Sequence, residues 1–377
     1  MLTLAVTNLA VRSFRNLDRV DVSFCPGLNV LSGENGQGKT NILEAIYVVA
    51  TSKSFRSKKS SDLISYGQSV ANAKFSILEG GGAREQSLGI VRGSLRVLCD
   101  GNKPQTLAAY ALLSPVVVFH PGEVVLSMGG GAERRRLLDR VALFISPASS
   151  VDRGRYARAL RERQRALEVR GPLARDIPEW EELLVQYGLA ITTGRAEAAR
   201  RLAVSAKWAF DRMARPLGVF GVEYRPGSPE SVDAFREALS FGRERDAWRG
   251  GPLVGPHKDD LSLTLDGLPV KGRASQGQHR SVVLALKSAE LEVISLARGV
   301  RPLLLLDDVS SELDPFRTKA LFSYLQDHVG QVFLTTTRPE LIELSSKASE
   351  SRRDFVVRSG RIFPRGDPSV SADGRSA

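Results

Sequence analysis

The chain has 377 residues, with 53 Lys and Arg against 42 Asp and Glu, for a formal net charge of +11. Hydrophobic residues at 42% and charged residues at 25% exclude wholesale disorder and suffice for a sizeable core without disulfides or metals. The two cysteines, Cys25 and Cys99, belong to no C-x-x-C pair, which excludes a disulfide scaffold and a zinc ribbon and fits a reducing cytoplasm. No stretch approaches the roughly 18 apolar residues of a membrane-spanning helix.

The length suggests two or three lobes. The positive balance points to a polyanionic partner, nucleic acid or an acidic membrane surface, although an arginine-rich composition also follows from genome composition alone.

Residues 1–32 alternate apolar and polar positions in short runs, LTLAVTNLAVRSF, RVDVSF and LNVLSG. This pattern predicts antiparallel strands ending in a buried one. The first charges follow the apolar run instead of preceding it, so a strand fits better than a secretory leader. NILEAIYVVA, residues 41–50, has helical spacing. The segment 70–119 returns to strand-like runs, with a turn marked by Gly80-Gly81-Gly82.

From about Ala132 to Leu217, strand signals give way to helix formers and arginine, and the brief heptad spacing predicts short packed helices and no long coiled coil. RPGSPES, residues 225–231, is a loop. DLSLTLDGLPV reads as a hairpin, GQHRSVVLALKSAELEVISLA as a helix, RPLLLLDD as a buried strand, VFLTTT as another strand and DFVVRSGRIF as a last hairpin. The tail after Pro364 has almost nothing to bury and is expected to be disordered.

GENGQGKT, residues 33–40, matches G-x-x-x-x-G-K-[ST] between the strand LNVLS and the helix NILEAI. Gly33, Glu34, Asn35, Gly36, Gln37 and Gly38 would wrap a phosphate with backbone N–H groups, aided by the positive helix N-terminus. Lys39 would reach the β- and γ-phosphates, and Thr40 would ligate Mg²⁺. In RPLLLLDDVSSELD, residues 301–314, a buried strand carries two carboxylates to a sheet edge, where open α/β sheets place ligands. Asp307 would hold the metal through water or Thr40, and Asp308 would polarise an attacking water. Taken alone, the same residues read as a strand followed by a helix cap.

In ASQGQHRSVVLALK, Ser275, Gln276, Gly277 and Gln278 precede an amphipathic helix. They read either as an ordinary cap or as a second anion site serving a nucleotide held by another subunit.

With NLAVRSFRNL, GENGQGKTNILEAIY, TSKSFR, VVVFHPGEVVL, GPHKDDL, ASQGQHR and LLLLDDVSSELD in order, the sequence resembles the ATP-binding-cassette (ABC) type of head domain of chromosome and DNA-repair proteins. More closely, it resembles the RecF family of replication and repair proteins. The resemblance implies an α/β fold, an ABC-type ATPase head with a mixed sheet around the phosphate loop. A mainly helical second lobe without a long coiled coil completes it. Residues 1–125 and 251–364 would form the head, 126–250 the inserted lobe and 365–377 the disordered tail.

It further implies that Gly33 to Thr40 form the Walker A loop, with Asp307 as the Walker B carboxylate and Lys39 and Asp308 in catalysis. Thr40 and Asp307 would be the Mg²⁺ ligands, Ser275 to Gln278 a signature motif acting in trans, and Ser311 to Asp314 the D-loop at a dimer seam. The implied protein is cytoplasmic, with ATP and Mg²⁺ as cofactors and weak, DNA-stimulated hydrolysis. It is an ATP-dependent homodimer that binds duplex and gapped DNA without sequence specificity, has no membrane partner, and loads recombinase with the RecO and RecR proteins.

Two departures stand out. Many cassette ATPases carry glutamate where this sequence has Asp308, which implies slow turnover. Thr335, Thr336 and Thr337 occupy the place of the usual switch histidine, and VVVFHPGE would host a Q-loop residue that the sequence does not identify. His120 and His257 read as loop hydrogen-bonders.

Arg153, Arg155, Arg158, Arg161, Arg163, Arg165 and Arg170 crowd one predicted helix, and Arg158, Arg161 and Arg165 share a face. That face contacts phosphates, or it is solvated and ion-paired to Glu162 and Glu168. Lys53 to Lys59 is a second basic candidate, and the lack of interleaved aromatics argues against base stacking. The ATPase subunit of a membrane transporter would share the nucleotide motifs but not the arginine-rich lobe. A chromosome-organising head would need a long coiled-coil arm that this length does not hold.

Overall fold

The structure, a computed structural model, describes residues 1–213, 218–308, 330–342 and 351–366. The chain opens with β1 (Leu2–Phe14), β2 (Leu17–Ser23), β3 (Leu28–Ser32), α1 (Lys39–Thr51), β4 (Val70–Glu79), β5 (Gly82–Val91), β6 (Ser94–Cys99), α2 (Leu107–Leu113) and β7 (Val116–Phe119). Then come α3 (Val125–Met128), α4 (Gly131–Ile145), α5 (Ser149–Arg170), α6 (Ile177–Met213), β8 (Phe220–Arg225), α7 (Val232–Phe241), α8 (Arg243–Arg249), β9 (Asp260–Leu265), β10 (Leu268–Pro269) and α9 (Gln276–Arg298). The last described elements are β11 (Val300–Arg301), β12 (Leu303–Leu306), β13 (Val332–Thr336), β14 (Arg352–Arg358) and β15 (Arg361–Pro364).

Two compact units result. One joins Met1–Glu123 to the described residues from Arg298 onward; the other is Val124–Ala297. The division expected from sequence, 126–250 as the lobe and 251–364 with the head, differs over residues 251–297. These group with the inserted unit because β9 pairs with β8 from Phe220↔Leu265 to Arg225↔Asp260. In addition, Glu290 of α9 is ion-paired to Arg140 of α4 and to Lys287.

The discontinuous unit contains two sheets. In the first, β2, β1, β4, β5 and β6 are antiparallel neighbours, with β11 parallel to β1. Alternating burial along β4 marks a sheet with one face in the core. Gly80 and Gly81, both at positive φ (56° and 89°), close the tight β4–β5 turn, whose pairing begins at Glu79↔Gly82. The second sheet has the order β15-β14-β3-β13-β12-β7, parallel except for the terminal hairpin strand β15.

The buried strand LNVLS was expected to end an antiparallel set. Instead β3 leaves the first sheet and becomes a central parallel strand, because all five of its residues are buried and need cover on both faces. Gln331 ties the two sheets together: its side chain accepts from Val6 N at 2.7 Å and donates to Val6 O and Cys25 O at 2.7 Å each. Ile42, Ile46 and Val49 of α1 share one core with Leu9 and Phe75 of the first sheet and Leu31 and Phe333 of the second.

In the inserted unit, α5 and α6 are joined by a short loop and pack through Tyr156, Ala159, Leu184 and Val185, with Phe235 and Leu239 of α7 beside them. The short helices expected there give way to one of 37 residues, α6, about 55 Å long. Its buried positions include Thr192, Arg195, Ala198, Ser205 and Ala209, small or polar residues that obscure the apolar period. Gly188 admits Phe235 to the helix surface, since a Cβ there would lie 2.8 Å from its ring. Elements α2, α7, α8 and β8 had no counterpart in the sequence reading. Among the described residues, no helix is long and apolar enough to cross a membrane.

Candidate nucleotide site and the networks around it

The Gly33–Thr40 segment leaves the C-terminal end of β3 and starts α1 at Lys39, with Gly38 as the N-cap. Gly33 (φ +149°) has no room for a side chain, as a Cβ would sit 2.4 Å from Val357 O. Gly38 (φ +110°) would likewise meet Asn16 Oδ1 at 2.8 Å. Lys39 is buried and folds back over the loop, its Nζ donating to Gly33 O and Glu34 O at 2.7 Å each. Burial holds its ammonium below the ordinary lysine range, while the Asp308 and Asp307 carboxylates act in the opposite sense.

Asp307 leaves the end of β12, two strands from β3 with β13 between them. Its Oδ1 accepts from Thr40 Oγ1 at 2.7 Å and from Thr335 Oγ1 at 2.9 Å. Thr335 Oγ1 in turn accepts from the Asp308 backbone N–H at 2.9 Å. The threonine noted in place of a histidine therefore braces both carboxylate positions. Asp308 adopts φ 52°, a left-handed conformation that aspartate tolerates and that turns the chain away from the strand direction. Thr40 Oγ1 and Asp307 Oδ1 are hard oxygen donors side by side, a pairing that suits Mg²⁺, which is held by few protein oxygens alongside phosphates and waters.

Supports that the sequence did not reveal surround this loop. Gln37 is clamped by the β14–β15 turn: its carbonyl accepts from Gly360 N at 2.9 Å and its Oε1 from Ser359 N at 2.6 Å. Asn16 donates to Gly36 O at 3.3 Å and accepts from Asn41 Nδ2 at 2.7 Å. Glu44, fully buried on α1, takes two hydrogen bonds from Arg15, at 2.9 and 2.8 Å, and lies 3.6 Å from Arg56.

Arg56 also donates to Asn41 Oδ1 at 2.7 Å, and Phe55 meets the Tyr47 ring edge-to-face and the His120 ring at a tilt. The KSFR segment thus packs against the loop helix, while Lys58 and Lys59 are exposed. In VVVFHPGE, His120 Nδ1 accepts from Gly122 N at 3.1 Å and its Nε2 lies 3.6 Å from Glu123.

Ser275 to Gln278 lie in the other unit. Gln278 N donates to Ser275 Oγ at 3.2 Å and Ser275 N to Gln278 Oε1 at 2.8 Å, a reciprocal capping box at the start of α9. The Gln276 and Gly277 N–H groups have no acceptor among the described residues. Behind the cap, buried His279 bonds Ser127 Oγ at 3.0 Å, and burial lowers its proton affinity. Ser311 to Asp314, and the tail from residue 367, lie outside the described residues.

GPHKDDL is the hub of the inserted unit. Asp259, fully buried, accepts from Arg195 Nη1 (2.9 Å), the Tyr224 hydroxyl (2.5 Å) and Gly227 N (2.8 Å). Asp260 binds Arg134 in bidentate fashion at 2.7 and 2.8 Å. His257 is held between the Tyr156 hydroxyl (2.9 Å) and Pro252 O (2.8 Å), as expected of a hydrogen-bonding loop residue.

The arginines of α5 differ in their surroundings. Arg163 is fully buried against Glu181, Asp246 and Leu239 O. Arg158, Arg161 and Arg165 are exposed, and no ion pair to Glu162 or Glu168 occurs among the described residues.

A strand, a glycine loop and a helix at the core of a parallel sheet, with a strand-end carboxylate bonded to the loop threonine, make this the fold of an ABC-type ATPase head. The head domain of an Smc protein bound to the C-terminal winged-helix domain of ScpA superposes with a TM-score of 0.55 at 14% identity, over 97% of this chain and 99% of that one. This likeness concerns the fold. Residues 5–354 match the family described as RecF/RecN/SMC N terminal domain. A DNA replication and repair protein RecF of Anaeromyxobacter sp. (strain Fw109-5) is 39% identical over 95% of this chain and 98% of its own length. A recombination mediator protein RecF solved with ATP, from the RecFOR pathway, is 26% identical with a TM-score of 0.86, over 96% of this chain and 98% of that one. The chain belongs to the RecF family.

Proposed function

We propose that the chain is a cytoplasmic, ATP-gated DNA-binding protein of recombinational repair and replication-fork maintenance. It acts as a homodimer at single-strand gaps and duplex–single-strand junctions and helps load recombinase with RecO and RecR. The observation that carries this reading is the hydrogen bond from Thr40 to Asp307, which joins the two nucleotide motifs across 267 residues of sequence.

In the proposed mechanism the N–H groups of residues 33–40 cradle the phosphates, and Lys39 exchanges its two carbonyl partners for phosphate oxygens. Thr40 and Asp307 would hold Mg²⁺, which would neutralise phosphate charge. Asp308 takes the proton of the attacking water. One methylene shorter than glutamate, it makes hydrolysis slow, since a misplaced group costs about 10²-fold. Ser275 to Gln278 of one subunit approach the γ-phosphate held by the other, and the open N–H groups of Gln276 and Gly277 support this role. An isologous dimer serves both sites alike.

Unpaired arginines such as Arg158 then contact the DNA backbone without reading sequence. Anisotropy of a labelled gapped duplex, with and without ATP, tests this reading on the natural chain and on Lys39→Ala. ATP should tighten binding only for the natural chain, and neutralising about five phosphates would give a slope of −4 to −5 in log K against log salt. DNA affinity that ignores ATP in both proteins would refute the gate.

A further inference from the structure

Within residues 124–297, α5, the end of α8 and the loop 250–258 enclose a cleft of about 620 Å³. This is within the usual range of small-ligand sites, about 300–1,000 Å³. Four cations line it: Arg161, Arg165, Arg249 and Lys258. All four are exposed, and among the described residues none forms an ion pair or a side-chain hydrogen bond. Elsewhere in the same unit, Arg134, Arg163, Arg195 and Arg243 are each bound to a carboxylate. The one carboxylate in the lining, Glu168, is engaged by Gln164 Nε2 at 2.8 Å and by none of the four cations. Four uncompensated charges facing one cleft, in a unit where Arg134, Arg163, Arg195 and Arg243 are each paired, call for an anionic ligand.

The rest of the lining selects among anions. Leu160 and Leu253 add apolar wall. Arginine beside apolar surface is characteristic of protein interfaces. The His257 imidazole at the cleft is fixed by both its ring nitrogens, to Tyr156 and Pro252, so that part of the wall is preformed. A duplex backbone is a convex rod that gains little from a concave, partly apolar cleft with a carboxylate in its lining.

The geometry points to a docking cleft for a short acidic peptide segment of a partner protein, with Asp or Glu beside one large apolar side chain. Its carboxylates meet the four cations, and its apolar side chain lies against Leu253 and Leu160. This site is independent of the nucleotide reading, because every lining residue belongs to the inserted unit and none to the phosphate loop.

The test uses the full chain, without nucleotide, and a panel of fluorescein-labelled hexapeptides that combine Asp or Glu with Leu, Ile, Phe or Trp. Matched peptides with Lys for the acids, and a labelled duplex, serve as comparisons. Acidic peptides should bind the natural chain, while Arg161→Glu/Arg165→Glu should weaken them at least about tenfold. The exposed Lys207→Glu, on α6 and outside the cleft lining, should leave them unchanged, and thermal melts of all three proteins should coincide. If no acidic peptide binds better than its lysine counterpart, the proposal fails. It also fails if the double variant loses duplex affinity but no peptide affinity, which would make the cleft a nucleic-acid contact.

Discussion

Two buried aspartates, one in each unit, are held by opposite means. Asp259 receives a guanidinium, a phenol and a backbone N–H, so its charge is neutralised within the fold. Among the described residues, Asp307 receives only the hydroxyls of Thr40 and Thr335 at the end of a parallel strand. Hydroxyl partners satisfy lone pairs but leave the negative charge in place. A carboxylate built for stability is matched with a fixed cation, whereas one built to take up a cation keeps its charge available. This difference separates the structural hub at GPHKDDL from the chemical one at LLLLDD, although both read as paired aspartates after or before a strand.

The sharpest break of this comparison is a matched pair of substitutions. Asp259→Ala should cost about 3–5 kcal/mol of stability, because a buried ion pair loses one member. Asp307→Ala should cost about 1 kcal/mol, yet lower Mg²⁺-dependent ATP hydrolysis by more than about 10²-fold. Urea unfolding and phosphate release measure the two effects; equal stability losses would erase the distinction. Next in size is Asp308→Asn, which should keep ATP binding by calorimetry while hydrolysis falls about 10²-fold. Normal hydrolysis in that variant would remove Asp308 as the base.

The smallest effect concerns pH. Burial, the leading cause, holds His257 and His279 below the ordinary histidine value of 6.5. For His257 the nearby Lys258 and Arg135 add to the shift, while Pro252 O and Asp259 oppose it. The unfolded chain therefore binds more protons than the folded one just below pH 6.5, and stability falls as pH drops through that value. His257→Gln should flatten the slope just below about pH 6.5 by up to about 1.4 kcal/mol per pH unit. All three tryptophans, Trp180, Trp208 and Trp248, lie in residues 124–297, so their fluorescence follows this unit alone.

Much of the nucleotide end is legible in sequence because its signals are local. The glycine loop, the strand before it, the helix after it and the two-residue turn at Gly80-Gly81 each rest on conformational demands within a few residues. Strand neighbours are not encoded that way. Nothing in LNVLS distinguishes the end of an antiparallel set from the centre of a parallel sheet, and only its pairing with β13 and β14 settles its place.

The supports of the loop were equally hidden, since Gln37 meets Ser359 across 322 residues and Glu44 meets Arg15 across 29. Helix α6 was shortened in the reading because alanine, serine and a paired arginine fill positions where a leucine would have kept the period visible. The arginines of α5 share one composition but not one role: Arg163 is a core residue and Arg161 lines a cleft.

Sedimentation velocity with and without ATP, on the natural chain and on Ser275→Arg, tests most directly whether two nucleotide sites are each completed by the other subunit. The account predicts a monomer that becomes a dimer with ATP, and a variant that stays monomeric because the arginine disrupts the cap of α9. An unchanged sedimentation coefficient with ATP, repeated in the presence of gapped duplex, would contradict it.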